Sequence, residues 1–221
     1  MAKHSAYQPI SIQTVKWFEG DYQAYLATMS KVRQEVVNSI LPQVVESLFG
    51  DTDGRFKRLA PTWSAASIGT SCGTLPHFVA EQLKVKGFGW GTGGLRDDAM
   101  KVDAWIEGDS LLNTLSRMYG DGEKRRPLPG DLYGLAKLGD SKKGIVHVGV
   151  IVDPRPRPDN VWVTADAGQG EDTAHQQARY CKRKYNPQDF SLSDPTNLDY
   201  TTKNPPRVIA GWVDIDKLKR P

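Results

Sequence analysis

The stretch "GIVHVGVIVDPRPRPDNVWVTADAG", Gly144 to Gly168, decides the fold. Apolar residues alternate through Gly144–Asp153 and again through Val161–Gly168, the period of a half-buried strand. The proline-rich run Pro154–Asn160 between them reads as a turn. The spacing predicts an antiparallel hairpin. Within its first strand one imidazole, His147, stands among apolar residues, on the face shared with Ile145, Gly149 and Ile151. Gly149 leaves open space beside the ring. With Val152 opposite Val161, the hairpin register sets His147 directly across from Asp166, within reach of a hydrogen bond. A carboxylate there would fix the tautomer and stabilise the imidazolium. Gln169, in "DAGQG", is the second choice for that role, reached if the strand bulges at Gly168.

Two more strands are predicted around the hairpin, "DLYGLAKL" at Asp131–Leu138 and "RVIAGWVDI" at Arg207–Ile215. Ahead of them the period is helical. Tyr22, Tyr25, Leu26, Met29, Val32, Val36, Ile40, Val44 and Leu48 recur at three- and four-residue steps and predict a helix over Asp21–Phe49. Pro42 should kink that helix and Gly50 end it. A second helix starts at Thr70 or Ser71 and buries Leu75, Phe78, Val79 and Leu83; Pro76 is early enough to be tolerated. The glycine-rich Gly87–Asp98 lacks the Lys-Ser/Thr ending of a phosphate loop and reads as a flexible connection. A third helix is predicted over Asp97–Met118, with Met100, Ala104, Leu111, Leu112, Leu115 and Met118 facing inward. A polar excursion, Gln169–Pro206, holds a short helix around Ala174–Tyr180. Helices first and an antiparallel meander after them give an α+β class.

A chain of 221 residues can bury a core without disulfides or a metal. Its hydrophobic fraction of 38% and charged fraction of 25% are ordinary for a soluble domain. The net charge of +3 is too small for a dedicated nucleic-acid binder. The basic runs "EKRRP" (Glu123–Pro127) and "RYCKRKY" (Arg179–Tyr185) read as solvated surface. No stretch approaches the ~20 apolar residues of a membrane span. The N-terminal residues show no apolar signal-peptide region, so the expectation is synthesis in the cytoplasm without a Sec signal. In that compartment Cys72 and Cys181 are expected as free thiols.

Cys72 lies in "WSAASIGTSCGTLPHFVAEQL", Trp63–Leu83, where a small-residue loop turns into a helix. Unpaired N–H groups and the positive helix end favour a thiolate there and can receive an oxyanion. Of the four histidines, His4 is terminal, His77 sits on the same helix pointing elsewhere, and His175 is in the polar excursion. His147 is the candidate base, and Asp166 the group that orients it. Cys181, in its basic run, is read as incidental. Trp63 and Trp90 flank the supposed cleft; Trp63 and Gln169 are the candidates for contact with substrate.

A helix-borne cysteine, then "PGDL" (Pro129–Leu132) leading into a strand, then "HVGVIV" (His147–Val152), then a polar residue on the next strand, resembles the NlpC-type papain-like amidases. The related CHAP amidases share this order. The resemblance spans Trp63–Val213 and implies a papain-like fold with N-terminal helices on an antiparallel sheet. It divides the chain into an N-terminal helical extension, residues 1–60, and a cysteine peptidase or amidase domain, residues 61–221. Cys72 matches the nucleophile, His147 the base and Asp166 the third polar residue. Many members carry Asp-Cys-Ser-Gly at the nucleophile, where this chain has Ser71-Cys72-Gly73-Thr74. The implied substrate is the peptide stem or cross-link of bacterial peptidoglycan. Without a Sec signal, the implied delivery is phage lysis or a machine such as type VI secretion, as a toxin acting on a target cell's wall. A secreted toxin of that kind implies a cognate immunity protein. No cofactor is implied. Two other readings are a zinc domain using Cys72, His77, His147 and Cys181, whose spacing lacks the close pairs of structural zinc sites, and a non-catalytic binding module on the same scaffold.

Overall fold

The computed structural model describes residues 21–45, 71–85, 94–108, 126–138, 144–167, 178–186, 190–193 and 207–218. Among them the chain is α+β, with helices packed on an antiparallel sheet. The strands are β1 (Trp105–Glu107), β2 (Leu132–Lys137), β3 (Ile145–Asp153), β4 (Val161–Asp166), β5 (Arg179–Tyr185), β6 (Leu192–Ser193) and β7 (Arg207–Val213). They run in the order β1-β7-β2-β3-β4-β5-β6, every neighbour antiparallel. Ser191, just before β6, also bridges Val208 of β7, so the sheet curls back on itself. Strand alternation then divides the apolar residues. Leu132, Val148, Val150, Val152, Val163 and Ala165 meet the helices, whereas Tyr133, Leu135, Ile151, Trp162, Tyr185 and Trp212 fill the inside of the curl.

The four strands predicted from alternation lie where expected; β1, β5 and β6 are additional. The basic run Arg179–Tyr185 is β5, paired along its whole length with β4, and its Tyr180 and Arg183 are buried. It is not a solvated surface run, and residues 179–180 are strand where a short helix was expected. Positive residues at Lys182 and Lys184 are exposed because they alternate with the inward positions.

The helix expected over Asp21–Phe49 is broken within its described part. Helix α1 (Asp21–Ala27) ends, and α2 (Lys31–Glu35) restarts with Ser30 as its cap, the hydroxyl accepting from the Arg33 N–H. A π-helical turn, Val36–Ile40, follows before α3 (Pro42–Val45). Pro42 has no N–H to give the helix ladder and crowds the preceding turn. The wider turn accommodates it, with the Leu41 N–H bonding back to the Val36 carbonyl at 2.9 Å. Tyr22, Leu26, Val36, Val37, Ile40, Leu41 and Val45 lie in one core with Leu75, Phe78 and Val79. The N-terminal helices are therefore continuous with the core behind Cys72.

Cys72 sits in a one-turn 3₁₀ helix, Ser71–Gly73, that leads into α4 (Thr74–Gln82). Leu75, Phe78, Val79 and Leu83 are buried as predicted. Helix α5 (Gly94–Lys101) begins earlier than expected and stops well short of Met118. Asp103 adopts the left-handed conformation, the Ala104 N–H bonds the Ala99 carbonyl and the Asp103 N–H bonds the Met100 carbonyl. That double closure ends a helix, and β1 follows at once. Met100, expected inside, is 55% exposed. Leu111, Leu112, Leu115 and Met118 lie outside the described residues. Helix α4 closes in the same way through Lys84.

The "PGD" turn is a structural joint. Gly130 takes a φ of 91°, which only glycine adopts freely. Its neighbour Asp131 is fully buried and receives Arg33 Nη1 at 2.6 Å. Arg33 also reaches Asp214 and Asp216, both at 2.7 Å, and the Pro129 carbonyl at 3.0 Å. One guanidinium thus ties α2 to the start of β2 and to the 3₁₀ turn Ile215–Lys217 after β7.

Candidate active site

The sheet brings His147 and Asp166 together through a register different from the expected one. Val150 pairs with Ala165 and Ile151 with Thr164, with a bulge between Ile151 and Asp153. Continued along the strands, that register sets Gly149 opposite Asp166, with His147 two positions further on. Both side chains still point to one face, and the diagonal is within reach of long side chains when nothing stands between. Gly149 is what clears it. A Cβ there would lie 2.5 Å from Asp166 Oδ1 and 2.8 Å from the Tyr133 ring. The space beside the imidazole, expected to be open, is occupied by Asp166 and Tyr133.

Asp166 is fully buried and every lone-pair direction is used. Oδ1 accepts from the Tyr133 hydroxyl at 2.5 Å and from His147 Nε2 at 2.7 Å. Oδ2 accepts from the Thr164 hydroxyl at 2.5 Å and lies 3.2 Å from Arg183 Nη2. Burial alone would push this carboxyl up, but Arg183, the His147 bond and the Thr164 bond outweigh it and hold Asp166 well below the usual carboxylate range. An ionised Asp166 accepts only, so Nε2 of His147 carries a hydrogen and Nδ1 is the nitrogen left for another partner.

The 3₁₀ turn Ser71–Gly73 packs on β3 and brings the Cys72 thiol against the His147 ring, where it helps the imidazole hold its proton. Both residues are buried, His147 to 5% exposure and Cys72 to 8%. Desolvation pulls the imidazole down, yet the bonds to Asp166 and Cys72 prevail and raise its pKa above the ordinary histidine value. Gly73, the cap residue of α4, offers no side-chain cap, and the first N–H groups of a helix have no carbonyl of their own.

Cys72, His147 and Asp166, singled out from sequence, are thus brought together, with the His147–Asp166 bond at the centre. Trp63 and Gln169, the candidates for substrate contact, lie outside the described residues, as does Trp90. Sequence reasoning missed Tyr133, Thr164 and Arg183. A signal existed for each: Thr164 precedes Asp166 by one strand period, Tyr133 pairs with Gly149, and Arg183 occupies an inward position of an alternating run. Cys181 is in no disulfide and is half-buried on β5, opposite Thr164. Among the described residues, which include Cys72, His77, His147 and Cys181, no group of three or more His, Cys, Asp or Glu can hold a metal ion. The zinc reading is not supported by this arrangement; His77 faces Glu81 at 3.3 Å instead. Among the same residues no helix is long and apolar enough to cross a membrane. Comparison of the chain with protein-family models, with curated proteins and with solved structures finds no match.

Proposed function

We propose that this protein is a papain-like cysteine amidase or endopeptidase of the NlpC type, acting on peptide stems or cross-links of bacterial peptidoglycan. The observation that supports the reading is the buried bond between His147 Nε2 and Asp166 at 2.7 Å with the Cys72 thiol against the same ring, which we read as a Cys72–His147–Asp166 relay. In the reaction, His147 holds the thiol proton and the Cys72 sulfur attacks the amide carbonyl carbon. The oxygen takes negative charge beside the N–H groups of the helix start. Collapse breaks the C–N bond, and His147 passes its proton to the leaving amine. A water molecule, deprotonated by His147, then attacks the thioester; the acid leaves and the thiol regains its proton. Asp166 remains ionised and keeps the ring in the productive tautomer.

Substrate class rests on the resemblance of "PGDL" and "HVGVIV", with the route of delivery, a secretion machine and a cognate immunity protein as its corollaries. The test is digestion of purified peptidoglycan with identification of fragments by mass spectrometry. Wild type and Cys181→Ala are expected to release the same peptides, and Cys72→Ala none while melting at the wild-type temperature. No fragments from wild type, or a dead Cys181→Ala with an active Cys72→Ala, would sink the reading. Binding to peptidoglycan without cleavage would indicate a binding module.

A further inference from the structure

The relay has a charge problem that a fourth residue solves. A Cys72 thiolate and an Asp166 carboxylate are two negative charges, and the His147 imidazolium is one positive charge. That set is buried, and a buried net charge is costly. Arg183 lies inside the curled sheet, nine-tenths buried, with Nη2 3.2 Å from Asp166 Oδ2. Its Nε finds no hydrogen-bond partner among the described residues. The guanidinium is thus placed for its charge on Asp166 more than for a lattice of bonds.

We propose that Arg183 is a positioning residue that neutralises the buried site, so that a Cys72 thiolate and a His147 imidazolium can coexist beside an ionised Asp166. This rests on the cysteine-hydrolase reading only in its use of the thiolate. The titratable and charged groups around the site come from five elements. They are Cys72 before α4, Tyr133 on β2, His147 on β3, Asp166 on β4, and Cys181 and Arg183 on β5. Tyr133 stays neutral, since burial and the Asp166 charge push its phenol well above the usual range. Burial opposes the charge on Arg183, but Asp166 more than restores it. Arg183 in turn restrains the rise that Asp166 gives His147.

Removing one positive charge disfavours the thiolate and favours the imidazolium. The pH window in which the pair exists therefore moves to higher pH. One neighbouring charge is worth about one unit or more at close range.

The assay is the rate of Cys72 alkylation by iodoacetamide from acid to alkaline pH, on the full chain. It is read by mass spectrometry on the peptide holding Cys72, so that Cys181 does not contribute. Arg183→Met is expected to shift the profile to higher pH by about one unit and to slow alkylation about tenfold on its acid side. Arg183→Lys keeps the charge and should recover most of the shift. Arg183→Met with Asp166→Asn removes one charge of each sign and should return the profile toward wild type, although the orienting carboxylate is gone. An Arg183→Met profile that overlays wild type overturns the proposal, as does a double variant shifted as far as Arg183→Met. Should Arg183→Met fail to fold, the double variant is compared with Asp166→Asn alone: loss of the Arg183 charge should set the double variant about one unit higher in pH, and profiles that overlay overturn the proposal. No substrate is needed. A wild type that cleaves no peptidoglycan yet shows these shifts ends the hydrolase reading and leaves the charge balance standing.

Discussion

Gly149→Ala isolates the diagonal contact. The added methyl would lie 2.5 Å from Asp166 Oδ1, 2.8 Å from Tyr133 Cε1 and 2.9 Å from the Ala165 carbonyl oxygen. None of these can yield cheaply. The carbonyl is backbone within β4, and the Asp166 oxygens are held by Tyr133, His147, Thr164 and Arg183. Overpacking of this kind costs about 1–3 kcal/mol. Weakening one hydrogen bond to a charged group adds about 1.5–3 kcal/mol. Against this, replacing glycine by alanine stabilises by about 0.4–1 kcal/mol through the unfolded chain. The expected net loss is about 2–4 kcal/mol, a fall in Tm of roughly 5–15 °C for a chain of this size. Gly134→Ala is the control. The three atoms nearest its methyl all belong to the Ile145 side chain, the nearest at 2.9 Å being its flexible end, so its Tm should stay within about 3 °C of wild type. Calorimetry gives the two melting temperatures, and Cys72 alkylation at neutral pH reports whether the imidazole still meets the thiol. A Gly149→Ala protein that melts with wild type and alkylates at the wild-type rate would refute the packed diagonal.

Asp166→Asn keeps the shape but removes the charge, so kcat/KM should fall about 100-fold or more, while Gln169→Ala stays close to wild type. A large fall at Gln169 with Asp166 indifferent would reassign the third role. Arg33→Met strands Asp131, which burial pushes up to about 7 even beside Arg33, and leaves Asp214 and Asp216 without their shared cation. Breaking such a buried pair costs about 3–5 kcal/mol, to be read as a lower urea midpoint at an unchanged slope. Stability should also respond to pH at two ends. Asp166, depressed in the folded state, contributes above the unfolded carboxyl value of about 4 and loses that contribution as pH falls below it. His147, raised in the folded state, contributes fully below the unfolded histidine value of about 6.5 and loses that contribution as pH rises through its folded value. Melting curves of wild type against Asp166→Asn should therefore diverge least in acid, and those of wild type against His147→Gln least in alkali; the reverse order would contradict the shifts.

Strands β2, β3, β4 and β7 were legible because their apolar residues alternate and turn residues bound them. The helix behind Cys72 was legible because its buried side chains repeat at helical spacing. The ends of α4 and α5 were not, since each closes on a left-handed residue that is not glycine, Lys84 and Asp103. Nothing in the local sequence marks either as a stop, and the closing bonds depend on how the following residue packs. Strand β5 was hidden for a different reason. Its charged residues mimic a solvated run, and only the pairing with β4 reveals that Arg183 has an internal carboxylate to meet while Lys182 and Lys184 face water.

The pairing of His147 with Asp166 survived a wrong register, and the reason lies in the strand period. Side chains return to the same face every second residue, so a slip of two positions moves the partner along the face without turning it away. A slip of one would have put Asp166 on the apolar face of Val148 and Val150, against the helices. Face membership is thus the quantity that alternation encodes, whereas the partner is chosen by local volume. Here the choice falls to Gly149. Any side chain larger than hydrogen at that position would fill the gap across which His147 reaches, and Asp166 would then face the substituent in place of the ring. The glycine therefore selects the diagonal partner, and the four donors around Asp166 hold the carboxylate in place for it.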